Sequence, residues 1–92
     1  MVEAVLIEIY QNIPNSLSEI NSCIAVNNYL GVITFASRVK SAFSMLGEVE
    51  LARTFEAIEA SARKGEMSAV KHLFDSAIQE SLEKINLISE VV

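Results

Sequence analysis

Few side chains in this sequence can do chemistry on their own. There is one histidine, His72, and one cysteine, Cys23. A His/Cys metal centre therefore has no ligand set, and a disulfide within the chain is impossible. The hydroxyls are more informative. Thr34, Ser37, Ser41 and Ser44 recur at spacings of three and four, so on a helix they share one side. A serine hydroxyl becomes a nucleophile only beside a base, and the single imidazole sits far along the chain. Lys40, three residues after Ser37, falls on the same flank and can attract an anion, with Arg38 on the other flank. This set fits binding rather than catalysis. The chain is expected to be no enzyme and to hold neither cofactor nor metal.

Composition narrows the class further. The 92 residues are 51% hydrophobic and only 21% charged, with 12 acidic against 7 basic side chains and a net charge of -5. That length fits a single domain over residues 1–92. The apolar fraction is too high for disorder. The acid excess disfavours nucleic acid as a partner. A lone cysteine suits a reducing compartment. The stretch Met1–Ile13 carries Glu3 and Glu8 and no basic residue, unlike a secretory signal. No run approaches the ~18–20 apolar residues of a membrane span. A soluble, cytoplasmic protein without a membrane partner is expected.

The elements that must position these residues read as helices throughout. Three boundaries stand out: Asn27-Asn28, Gly47-Glu48 and Lys64-Gly65-Glu66. Between them apolar residues recur every three or four positions. The first stripe is Val2, Leu6, Ile9, Ile13, Leu17, Ile20 and Ile24. It runs through Pro14, which predicts one helix kinked near Tyr10 to Pro14, with a true break at Asn12-Ile13 as the alternative. The second stripe is Tyr29, Val32, Ala36, Val39, Phe43 and Leu46, and the third is Leu51, Phe55, Ile58 and Ala62. The fourth is Val70, Phe74, Ile78, Leu82 or its neighbour Ser81, Ile85 and Ile88. Four such helices on short loops predict an all-α, antiparallel up-down-up-down four-helix bundle. Gly47 should end the second helix as its cap.

The second helix carries the most unusual pattern. Opposite its core stripe the sequence places Leu30, Ile33, Thr34, Ser37, Ser41 and Ser44, where an outward face normally carries Lys, Glu and Arg. Either the first helix covers Leu30 and Ile33, or the face is a docking surface. Small side chains there would let a partner backbone approach closely. All seven basic residues lie from Arg38 onward, so Arg38 and Lys40 give this face a mildly positive rim. Elsewhere, His72 is expected to be exposed and Cys23 to be a packed thiol. Met45 and Met67 are expected to fill core or boundary space, and Glu80 and Lys84 to form an exposed i,i+4 pair.

The stretch from Ala36 through Ser37-Arg38-Val39-Lys40-Ser41 to Leu46-Gly47 resembles the core motif of histidine-containing phosphotransfer (HPt) domains, Ala-His-x-Leu-Lys-Gly-Ser-x-x-x-Leu-Gly. Ala36, Val39 for Leu, Lys40, Leu46 and Gly47 match at the family spacing. Asn28 stands where the family often opens its active helix with Asp. Ile58-Glu59 and Ala62-Arg63-Lys64-Gly65-Glu66 are similar to its Leu-Glu-x-x-Ala-Arg-x-Gly-Asp turn. Nearly the whole chain is covered. The resemblance implies a four-helix phosphorelay domain that docks response-regulator receiver domains, or a hybrid histidine kinase, through its second helix. Lys40 would then help to orient the site.

One departure is decisive for mechanism. The phospho-accepting His of the family falls on Ser37, and the Gly after the Lys falls on Ser41. In the family an exposed imidazole attacks the aspartyl phosphate of a receiver, which supplies the metal and most catalytic groups. Ser37 has no base to activate it, so the resemblance implies a docking domain without phosphotransfer. It leaves open a natural degenerate member, an engineered His replacement, or a serine phosphorylated by another route. The expected binding residues are Leu30, Ile33, Thr34, Ser37, Arg38, Lys40, Ser41 and Ser44, in a monomer. The rival is a structural or oligomerising helical module that buries Leu30 and Ile33 in a self-interface.

Overall fold

The computed structural model describes the backbone of residues 2–91 and the side chains of residues 12–84. It contains four helices: α1 (Val2–Ala25), α2 (Tyr29–Met45), α3 (Val49–Arg63) and α4 (Met67–Val91). Each of α1, α2 and α3 packs on the helix that follows it, and α1 also packs on α4, which closes the bundle. No strand occurs among the described residues. The helix α1 continues through Pro14 as one element, so the alternative break at Asn12-Ile13 is not realised. The stripe positions Val2, Leu6, Ile9, Ile85 and Ile88 lie outside the described side chains, as does Tyr10.

All three connections use the same device. Asn27, Gly47 and Gly65 adopt positive φ values of 56°, 80° and 75°. The next residue in each case donates its backbone N–H five positions back: Asn28 to Cys23, Glu48 to Phe43 and Glu66 to Ser61, at 2.8, 2.8 and 2.9 Å. This is the left-handed C-terminal cap, which satisfies orphan carbonyls and ends the helix. Glycine takes that conformation without strain, and Asn is among the few other residues that tolerate it. The same residue then opens the next helix, and its carbonyl accepts from Val32, Ala52 or Val70. Asn28 adds a side-chain cap, its Oδ1 accepting the Gly31 N–H at 3.1 Å. The linkers are therefore short, three residues each, and successive helices pack on one another.

The core follows the stripes. Ile13, Leu17, Ile20 and Ile24 of α1 are buried against Val32, Ala36, Val39 and Phe43 of α2, Leu51, Phe55, Ile58 and Ala62 of α3, and Val70 and Phe74 of α4. Phe43 and Phe55 meet with ring centroids 5.9 Å apart and planes tilted 31°. Each buried ring of this kind stabilises the fold by about 1.5–3 kcal/mol. Tyr29 at the start of α2 donates its hydroxyl to the Gly65 carbonyl beyond α3, at 3.2 Å. Between Leu82 and Ser81, the structure selects Ser81: its side chain is fully buried, while Leu82 is exposed. Ser81 Oγ has no hydrogen-bond partner among the described residues.

Two further expectations are corrected. Lys84 does not pair with Glu80 but reaches Glu48 in the α2–α3 turn, at 3.7 Å, because interhelical packing brings that carboxylate within range. Met67 is buried as expected, whereas Met45 is 66% exposed. Met45 sits about 210° around the helix from the core stripe, so its apolar character does not decide its place.

Candidate docking face on the second helix

Gly31 brings α2 against α1. A Cβ built on it would fall inside van der Waals contact of Cys23 Sγ and 2.8 Å from Asn28 Nδ2. Cys23 is buried, and burial together with the nearby Glu19 charge pushes its thiol pKa up. It is thus a protonated, packed group rather than a nucleophile. This close approach fixes the spacing of α1 and α2, and with it the width of the groove between them.

That groove, about 620 Å³, is lined from α1 by Asn12, Ser16 and Glu19 and from α2 by Phe35, Ser37 and Arg38, among others. A second groove, about 510 Å³, runs between α2 and α3 past Lys40, Ser44, Val49, Arg53 and Glu56. Ser41 and Met45 border both and form the ridge between them. Arg38 lies over the Phe35 ring at 5.3 Å, a cation–π contact that holds the guanidinium near the α1 side.

The expected face divides as follows. Leu30, Thr34, Arg38, Ser41 and Ser44 are exposed. Leu30 is 77% exposed, so α1 does not cover it. Ser37 is half-buried and opens into the first groove. Thr34 is partly self-satisfied, its hydroxyl donating to the Leu30 carbonyl at 2.9 Å. Ile33 does not belong to the face. It is half-buried and packs against the core. It lies about 90° from the core stripe, and in a bundle where α2 has a neighbour on each side the buried arc is that wide. His72 is exposed on α4, remote in sequence from these residues.

Lys40 is engaged. Its ammonium donates to Glu59 Oε2 at 3.3 Å, and Arg63 donates to Glu59 Oε1 at 3.1 Å. Glu59 is the one buried charged residue among those described, 9% exposed. Burial by itself raises its pKa; the hydrogen bonds and charges of Arg63 and Lys40 outweigh that and leave it below the ordinary value. The sequence pointed to Lys40 but not to its partner, since the pair spans 19 positions across two helices. Only the Glu59–Arg63 i,i+4 spacing was visible. Met45 is exposed, although its residue type suggests core or boundary space.

Comparison with family models, curated proteins and solved structures finds no match. No cluster of three or more His, Cys, Asp or Glu side chains that could hold a metal occurs among the described residues. Nor is any described helix long and apolar enough to cross a membrane. What the arrangement offers chemically is a surface: a ridge of small hydroxyls and one flexible thioether between two grooves. Of the cations beside the ridge, Arg38 rests on the Phe35 ring and Lys40 is tied back to α3.

Proposed function

We propose that this chain is a cytoplasmic docking domain of the HPt type, which binds a receiver domain, free or within a hybrid kinase, through the outer face of α2. The observation that carries the reading is the exposure of a charge-poor ridge, Thr34, Ser41 and Ser44 with Met45, where an outward helix face is ordinarily charged. Small residues on that ridge suit close approach of another backbone, and the flanking grooves suit side chains from the partner. Methionine adapts its shape to a partner surface at low cost. Ser37 opens into the α1–α2 groove in the position that the resemblance gives to the phospho-acceptor. With no imidazole beside it, Ser37 does not accept a phosphoryl group, so the domain docks without transferring.

The test is binding of candidate receiver domains to the wild type and to Ser41→Arg. The reading expects the bulky cation on the ridge to weaken binding by tenfold or more; equal affinities refute it. Incubation with a phosphorylated receiver should leave this protein unlabelled, whereas Ser37→His should gain acid-labile label. A second reading, a self-associating helical module, draws on the exposure of Leu30 and Met45, at 77% and 66%. It predicts a stable dimer by sedimentation at micromolar concentration; the docking reading predicts a monomer.

A further inference from the structure

The position of Lys40 leads to an inference that rests on the docking reading and deepens it. Lys40 lies one helical turn from Ser37 and one residue from Ser41. A free lysine at that place would sweep over the ridge and make it cationic. Instead its ammonium is held on the α3 side, 3.3 Å from Glu59 Oε2, and its side chain is only 32% exposed. The other carboxylate oxygen is occupied by Arg63 at 3.1 Å, and Glu59 stays ionised because both partners favour its charged form. The groove that receives Lys40 also holds Arg53 and Glu56, one charge of each sign.

We propose that Glu59 is a positioning residue that masks Lys40, keeps its charge off the ridge beside Ser37 and Ser41, and thereby restrains binding of the acidic surface of a receiver domain. Releasing Lys40 would turn the face toward acidic partners. Electrostatic complementarity of this kind sets partner choice and association rate more than contact area does.

Two readouts test it. The first needs no partner. Acylation of Lys40 by an acetyl N-hydroxysuccinimide ester is followed by peptide mass mapping, with the exposed Lys64 as internal standard. In the wild type Lys40 should react more slowly than Lys64. In Glu59→Gln its rate should rise threefold or more, while in Arg63→Ala, which spares the Lys40 contact, it should stay low. A role of Glu59 in stability alone would make these two variants alike. Should Glu59→Gln fail to fold by circular dichroism, Glu59→Asp, which withdraws the carboxylate by one methylene, takes its place. Equal wild-type rates at Lys40 and Lys64, unmoved by either substitution, overturn the proposal.

The second readout is the affinity of a receiver domain across a salt series. Glu59→Gln should bind about three- to tenfold more tightly at low salt, the gain should shrink as salt screens it, and Lys40→Ala should abolish it in the double variant. A gain that persists without Lys40, or none despite faster labelling, also overturns the proposal. If the wild type binds no receiver, the docking reading fails by itself, and the labelling still decides the masking.

Discussion

Replacing Gly31 with alanine tests the packing that shapes the groove. Two effects oppose each other. Alanine inside a helix is favoured over glycine by about 1 kcal/mol. Against that, the added Cβ would overlap Cys23 Sγ and stand 2.8 Å from Asn28 Nδ2. Overpacking of this kind costs about 1–3 kcal/mol. Asn28 also caps α2 through the Gly31 N–H at 3.1 Å, and disturbing that cap costs about 1 kcal/mol more. The net expectation is a loss of about 1–3 kcal/mol. For a domain of this size that lowers the melting temperature by at least about 4 °C. Urea denaturation followed by circular dichroism gives the free energy, provided the slope m is unchanged. The double variant with Cys23→Ala isolates the cause. Removing Sγ relieves the overlap, so the two substitutions together should cost less than the sum of their separate effects. Gly31→Ala as stable as the wild type, or strict additivity in the cycle, would refute the close approach of α1 and α2.

Other expectations follow from buried polar groups. The Glu59 carboxyl has a folded pKa below its ordinary value of 4.5, so the stability it contributes is present above that value and lost as pH falls through the folded one. Acid denaturation curves of the wild type and Glu59→Gln should therefore converge on acidification, and parallel curves would exclude the linkage. Ser81 Oγ is buried without a partner among the described residues, so Ser81→Ala should be neutral or stabilise by up to about 1 kcal/mol, read as a raised denaturation midpoint. A loss above that magnitude would mean that the hydroxyl is satisfied.

The helices are legible because each boundary carries a residue that tolerates positive φ, and the first also carries a side-chain cap. At Asn27-Asn28 the first residue tolerates positive φ and the second caps a helix; Gly47 and Gly65 play the first part at the other two turns. The apolar stripes then fixed which side of each helix faces inward. Judgements at the margin of a stripe were weaker. Ile33 lies on a flank of the stripe, and the presence of a neighbour on each side of α2 draws it partly into the core. Leu82 and Ser81 compete for one core position, and packing chose the smaller, polar residue over the more hydrophobic one. The charge pairs were illegible for another reason. Lys40 with Glu59 and Lys84 with Glu48 join residues distant in sequence, so local spacing carries no trace of them.

The central claim is that a partner docks on the outer face of α2, and amide chemical-shift mapping tests it most directly. A receiver domain is titrated into the isotopically labelled protein, and shifts are followed residue by residue. The account predicts perturbations concentrated at Thr34, Ser37, Arg38, Ser41, Ser44 and Met45, with the α1 and α3 residues that line the two grooves responding less. Shifts centred on α4 around His72, or no shifts with any receiver, would contradict it.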